Sequence, residues 1–202
     1  MEPALALLEF ESIALGIRAG DAMAKRTPLK TLHCGTVHPG KYLVLAAGEV
    51  GEVEEALLAA EEAGSAAICA RVFLPAVHDE VVRGLCGGRR ESSGSALGVV
   101  ETRTVPAVLD FSDAALKGAR VVLLQLALAD GLGGKGYALF SGEVFDVEAA
   151  LELGRDRLGR GGAARDGELV AQVLIPQLEA EMRINLEGPG GFLEGVPAPV
   201  GS

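Results

Sequence analysis

The sequence contains no tryptophan, and aromatic residues make up only 4% of its 202 positions. Hydrophobic residues still reach 49%, so the core must be built from alanine, valine and leucine. Side chains that small suit closely packed layers of helix on sheet. Cysteine is scarce as well: Cys34, Cys69 and Cys86 form an odd set, which excludes a paired disulfide framework and points to a reducing cytoplasm. Basic residues are outnumbered, 18 against 28 acidic, for a net charge of −10. That balance argues against nucleic acid and anionic membranes as partners. Long apolar runs are missing even though mean hydropathy is positive. The longest, Val121 to Ala129, is interrupted by Gln125 and falls well short of the roughly 20 residues that span a bilayer. Met1-Glu2-Pro3 opens the chain without a basic segment, so no signal peptide is expected. The surplus of apolar residues is expected to be hidden between subunits.

Catalytic signatures are also lacking. No Ser-His-Asp set, phosphate-binding loop or dinucleotide fingerprint occurs. Gly131 to Gly136 has GxGGxG character, but it joins one strand-like run to another and opens no helix, as a nucleotide site would require. The glutamates after Val50 are candidates for paired acid–base work. Helical spacing puts Glu52, Glu54, Glu55, Glu61 and Glu62 away from the apolar stripe of Val50, Val53, Ala56, Leu57 and Ala60, on a solvated face. An enzyme is the least supported reading.

What is present is a duplication. Glu9, Asp21, Ala22 and Lys25 recur as Glu101, Asp113, Ala114 and Lys117, 92 positions later. Beyond the middle of each repeat the match resumes 94 positions apart: Gly40-Lys41 with Gly134-Lys135, Gly48-Glu49-Val50 with Gly142-Glu143-Val144, and Val53-Glu54 with Val147-Glu148. Two extra residues therefore enter the second repeat, most simply in the loop before Lys135. Each repeat reads strand, helix, strand, loop, strand, helix, strand. In the first these are Ala4–Glu9, a helix from Ser12 to Arg26 stopped by Thr27-Pro28, Leu29–Val37, Tyr42–Ala47, the helix after Val50, and Ala66–Leu74. A short helix from Val77 to Leu85 follows. In the second they are Ala96–Glu101, Val105–Lys117, Val121–Ala129, Gly136–Ser141, Val144–Leu158 and Leu169–Ile175. This βαββαβ order predicts the α+β class: in each repeat a ferredoxin-like, four-stranded antiparallel sheet with two helices on one face. The domains are expected at 4–86 and 96–184. A linker is expected at 87–95 (GGRRESSGS), and a flexible Gly/Pro-rich tail at 185–202.

Several local signatures coincide in order and spacing. They are Leu7-Leu8-Glu9 with Ser12-Ile13, Gly20-Asp21-Ala22-Met23-x-Lys25, Pro39-Gly40-Lys41-Tyr42, and Gly48-Glu49-Val50-x-x-Val53-Glu54. In the second half they are Val100-Glu101-Thr102, Ser112-Asp113-Ala114-Ala115-Leu116-Lys117-Gly118, Gly131-Leu132-Gly133-Gly134-Lys135, and Gly142-Glu143-Val144-x-Asp146-Val147. Over residues 4 to 184 the chain resembles the tandem-domain, trimer-forming shell proteins of bacterial microcompartments. It is most similar to the branch from propanediol-utilising compartments that carries an iron–sulfur cluster in its pore. The resemblance implies two tandem BMC-type domains and a pseudohexagonal homotrimer that packs edge to edge with other shell proteins around encapsulated enzymes in the cytoplasm. It implies pore loops at His38-Pro39-Gly40 and Gly131-Leu132-Gly133-Gly134, and tile-edge lysines at Lys25 and Lys117. His38 stands where the cluster-bearing branch has cysteine, which removes the basis for a cluster.

Read as residues alone, His38 is an ordinary loop histidine. On a three-fold axis it becomes three converging imidazoles, a first shell suited to a transition metal such as zinc, copper or nickel. It is also a source of pH-dependent charge. His33, Cys34 and His38 have a conceivable metal spacing, but strand alternation turns His33 away from Cys34, and a strand cysteine is ordinarily core. Lys41 and Lys135 would ring the axis with ammonium groups if they point inward and would favour anionic metabolites, with Asp130 offsetting them. Lys25 and Lys117 also suit the C-terminal ends of their helices. A sensor module built from duplicated βαββαβ domains is the competing class.

Overall fold

The computed structural model describes residues 3–91, 94–160 and 167–187. The first repeat begins with β1 (Ala4–Phe10). The Ser12 hydroxyl accepts the Leu15 amide at 3.3 Å and starts α1 (Ile13–Arg26). Pro28 follows Thr27, the C-cap of α1. Next come β2 (Thr31–Val37), β3 (Lys41–Gly48) and α2 (Val50–Gly64), whose start is closed by a reciprocal capping box between Glu49 and Glu52. A single 3-10 turn, Ser65–Ala67, leads into β4 (Ile68–Leu74), and α3 (Asp79–Leu85) completes the repeat. The second repeat supplies β5 (Ala96–Thr102), α4 (Val105–Gly118), β6 (Val122–Leu128), β7 (Gly136–Gly142), α5 (Val144–Gly159), β8 (Leu169–Ile175) and α6 (Ala180–Glu187).

The two sheets have the same topology, β2-β3-β1-β4 and β6-β7-β5-β8, and every neighbouring pair is antiparallel. The expected order and class are therefore present twice. Some ends differ from the sequence reading. β2 starts at Thr31, the first residue with a partner in β3. α3 starts at Asp79, because the Val77 amide donates to the Pro3 carbonyl and His78 forms the cap. β6 carries a bulge between Leu123 and Gln125, where the Gln125 amide reaches the Tyr137 hydroxyl at 2.7 Å. α6 was not foreseen, and it includes residues 185–187 of the segment read as tail. Residues 188–202, the rest of that tail, lie outside the described residues. In the segment read as a linker, the Arg90 amide donates to the Leu124 carbonyl and its guanidinium grips Glu80 at 2.6 and 2.9 Å. The described part of the linker is thereby fastened to both α3 and the second sheet.

Strand alternation explains the core. Ala4, Ala6, Leu8 and Phe10 face α1 and α2 and pack with Met23, Val53, Ala56 and Ala60. Leu5 and Leu7 point the other way, yet they are equally buried. They belong, with Val72, Leu74, Val77 and Val81, to a second cluster that includes Val105, Val108, Leu109 and Phe111 of α4. The first sheet is thus covered by its own helices on one face and by the second domain's α4 on the other. At about 25 cal/mol per Å² of apolar surface removed from water, an interface of this kind binds the two domains into one body.

The repeats also exchange a large and a small residue at one contact. In the first, Gly16 of α1 lies against Tyr42, and a Cβ on Gly16 would come within 2.6 Å of the ring. In the second the roles reverse: Val108 of α4 lies against Gly136, where a Cβ would come within 2.5 Å of it. Each helix approaches its strand because one member of the pair has no side chain.

Candidate pore and junction site

The two loops singled out by the repeat meet within a single chain. Between β2 and β3, the Gly40 amide donates to the Val37 carbonyl at 2.9 Å across the cis His38–Pro39 bond. Between β6 and β7, the Ala129 carbonyl accepts from Leu132 and Gly134 at 3.0 and 3.2 Å. Gly131, Gly133 and Gly134 all have positive φ, which only glycine adopts freely. Strand register shows that Val37 pairs with Lys41 just as Ala129 bonds Lys135. His38 and Asp130 are therefore the same position in the two repeats, and the two extra residues lie between Asp130 and Lys135. Asp130 Oδ1 accepts from the His38 amide at 2.9 Å and lies 3.2 Å from His38 Nδ1. These bonds from His38 hold the Asp130 carboxyl below the usual carboxylate range. A Cβ on Gly134 would come within 2.9 Å of Pro39 and 3.4 Å of the His38 carbonyl, so Gly134 is what lets the loops touch. His38 and Asp130 are both exposed. Leu132 borders a shallow hollow with Val99, Lys135 and Tyr137.

The two loop lysines turn back onto carboxylates. Lys41 donates to Glu9 at 2.5 Å, and Lys135 to Glu101 at 2.6 Å. The ammonium ring expected around the axis is paired in each repeat. Burial would pull Lys41 down, but the Glu9 carboxylate outweighs that effect and holds the ammonium above its ordinary range. Glu9 itself is 1% exposed, and its second oxygen accepts the Val105 amide at the start of α4 at 2.8 Å. The recurrence of Glu9 as Glu101 was visible in the sequence; that these residues bind the loop lysines was not.

Lys25 and Lys117 sit in matched i,i+4 pairs, each 2.6 Å from Asp21 or Asp113. The second pair is also part of the contact between domains. Asp113 accepts the His78 amide at 2.8 Å, and Lys117 donates to the Ala76 carbonyl. Cys34 is half-buried with its sulfur against Gly20, and burial raises its thiol pKa. His33 is exposed. Neither loop carries a thiolate, so these residues do not fit an iron–sulfur cluster, whose usual ligands are cysteines. Among the described residues no three His, Cys, Asp or Glu side chains of one chain gather as a metal site. No helix among them is long and apolar enough to cross a membrane.

Known proteins match the chain in sequence and in fold. The BMC domain model matches twice, over residues 4–77 and 96–178. The bacterial microcompartment shell protein PduT of Citrobacter freundii is 33% identical over 182 residues, covering 90% of this chain and 96% of that protein. The shell protein EutM of Escherichia coli (strain K12) is 37% identical over 102 residues, 48% of this chain and 98% of its own. Among solved structures, a microcompartment protein from Desulfitobacterium hafniense DCB superposes with a TM-score of 0.77 at 29% identity, covering 91% of this chain and 99% of that one. With two BMC domains in tandem and these relatives, the chain belongs to the BMC-domain family, the shell proteins of bacterial microcompartments.

Proposed function

We infer that the chain builds a homotrimeric shell tile whose axis is ringed by the His38 and Asp130 loops. The role is structural, not catalytic. The observation that carries the trimer is an interface used once inside the chain and left open at its two ends. In α4, Val105 and Leu109 are fully buried against the first sheet; their counterparts in α1, Ile13 and Ile17, are 39% and 54% exposed. On the receiving side, Val72 and Val81 are buried, whereas Val173 and Met182 are 50% and 52% exposed. One end offers a helix and the other offers the sheet face that such a helix covers. Contacts of this head-to-tail kind close into rings, and two domains per chain make a pseudohexagon from three copies.

In such a ring the residues at the axis are His38, Pro39 and Gly40 alternating with Asp130, Gly131, Leu132, Gly133 and Gly134. With Lys41 and Lys135 turned onto Glu9 and Glu101, the charged group left at the loop tips is the Asp130 carboxylate, bonded to His38. This supports passage of neutral or cationic metabolites over anions. Edge-to-edge packing with other shell proteins is tested by electron microscopy of the concentrated protein. Flat, hexagonally packed layers are expected, and dispersed globular particles at all concentrations would contradict the tile.

A second reading places a transition metal on the axis. It is favoured by the contact of His38 Nδ1 with the accepting Asp130 carboxylate, since a carboxylate on one ring nitrogen orients the other toward a metal. Metal analysis of the assembled protein should then give up to one zinc, copper or nickel ion per three chains, lost in His38→Ala. Equal, negligible content in both would end this reading.

A further inference from the structure

We propose that each junction of the ring is held in register by two carboxylate caps: Glu101 accepts the amide of Ile13 of the partner subunit, and Asp21 of that same partner subunit accepts the amide of Glu179. The proposal rests on the trimer reading above and specifies its polar contacts.

The internal interface is the template. There, Glu9 takes Lys41 on one oxygen and the Val105 amide on the other, at 2.5 and 2.8 Å. Asp113 takes Lys117 on one oxygen and the His78 amide on the other, at 2.6 and 2.8 Å. Each carboxylate serves a lysine of its own repeat and an amide of the other repeat. Both amides stand at or beside the first turn of a helix, where backbone N–H groups have no partner within the helix.

Every one of these groups recurs in the other repeat, the carboxylates with half of their bonds and the amides with none among the described residues. Glu101 corresponds to Glu9; one oxygen takes Lys135 at 2.6 Å, and the other has no partner among the described residues. Asp21 corresponds to Asp113; one oxygen takes Lys25 at 2.6 Å, and the other is likewise free. Val105 corresponds to Ile13, the first residue of α1, whose amide is unbonded among the described residues. His78 corresponds to Glu179: Val77 donates to Pro3, and Leu178 donates to Ser95, at matched positions just before each. The Glu179 amide is unbonded as well among the described residues. Glu101 and the Glu179 amide lie on the domain that presents Val173 and Met182. The Ile13 amide and Asp21 lie on the helix that presents Ile17. Each face therefore carries one free acceptor and one free donor beside its apolar patch, and only a second copy of this chain presents the complementary set. Lys25 then stands at the junction in the way that Lys117 stands between the domains.

The test is subunit exchange between unlabelled and isotope-labelled trimers, followed by native mass spectrometry, for wild type, Glu101→Ala, Glu101→Gln and Asp21→Ala. Loss of a helix cap of this type is expected to accelerate exchange about five- to tenfold per junction, with the conservative Glu101→Gln intermediate. Circular dichroism should show all variants folded, because among the described residues the Glu101 and Asp21 side chains bond only their own surface lysines. Exchange at the wild-type rate in folded Glu101→Ala and Asp21→Ala trimers would overturn the caps and leave the tile standing. A wild-type chain that forms no trimer would overturn the reading on which the caps rest.

Discussion

Ile17→Arg should leave the chain folded and stop the ring from closing. Ile17 is 54% exposed, so replacing it removes little packing within the chain, and folding stability should change by no more than about 0.5 kcal/mol. In a ring its side chain occupies the place that Leu109 fills inside the chain, buried against the first sheet. Burying a residue of that size contributes about 1.5–3 kcal/mol. An arginine there forfeits this contribution and also brings an unpaired charge into an apolar contact, at a further cost of several kcal/mol. The loss recurs at every junction. Native mass should report single chains whose denaturation midpoint matches wild type. The same change at the equivalent internal position, Leu109→Arg, should prevent stable folding altogether, because there the interface is part of the chain's own core. A ring-forming Ile17→Arg would show that subunits meet elsewhere.

Glu9→Ala should be the most damaging surface-to-core polar change. It leaves the partly buried Lys41 ammonium unpaired and the first turn of α4 uncapped in one step. Removing one member of a buried ion pair costs about 3–5 kcal/mol, a large share of the stability of a chain this size. Glu101→Ala, at the equivalent but half-exposed position, should cost the single chain no more than about 1 kcal/mol. Urea denaturation of the two variants measures the contrast directly. The pH dependence follows from the raised Lys41 pKa. A base whose folded pKa lies above its unfolded value contributes its full stabilisation below the unfolded value and loses it as pH rises through the folded one. The gap between wild type and Glu9→Ala should therefore be constant through neutral pH and narrow only in the alkaline range above lysine's ordinary titration. Equal costs for Glu9→Ala and Glu101→Ala would contradict the assignment of Glu9 to the domain contact.

Much of this was legible in the sequence, because a duplication doubles every signal. Strands, helices and loops that are ambiguous once become firm when they recur in order. Ser12 as a cap and Pro28 just past the end of α1 are local effects, and they appear where expected. The misses have tertiary causes. The lysines after each loop looked like axis-facing charges because Glu9 and Glu101 are more than thirty residues away along the chain; only β1 lying beside β3, and β5 beside β7, brings them together. The equivalence of His38 with Asp130 was hidden by the inserted loop residues and by the β6 bulge, and strand register reveals it. α6 carries no strong amphipathic pattern, since Met182 and Ile184 stay exposed in the single chain. The composition of Gly87–Ser95 suggests a linker, but composition cannot show that Arg90 finds Glu80. Leu5 and Leu7 were legible as apolar. That their cover comes from the second domain's α4 was not, and this contact is the template for the whole assembly.

The native mass of the unmodified protein tests most directly whether that template is used again between chains. At neutral pH and moderate salt the spectrum should be dominated by an assembly of three chains, with larger species built in multiples of three as concentration rises. A spectrum of monomers, or of closed dimers that do not grow, would contradict it.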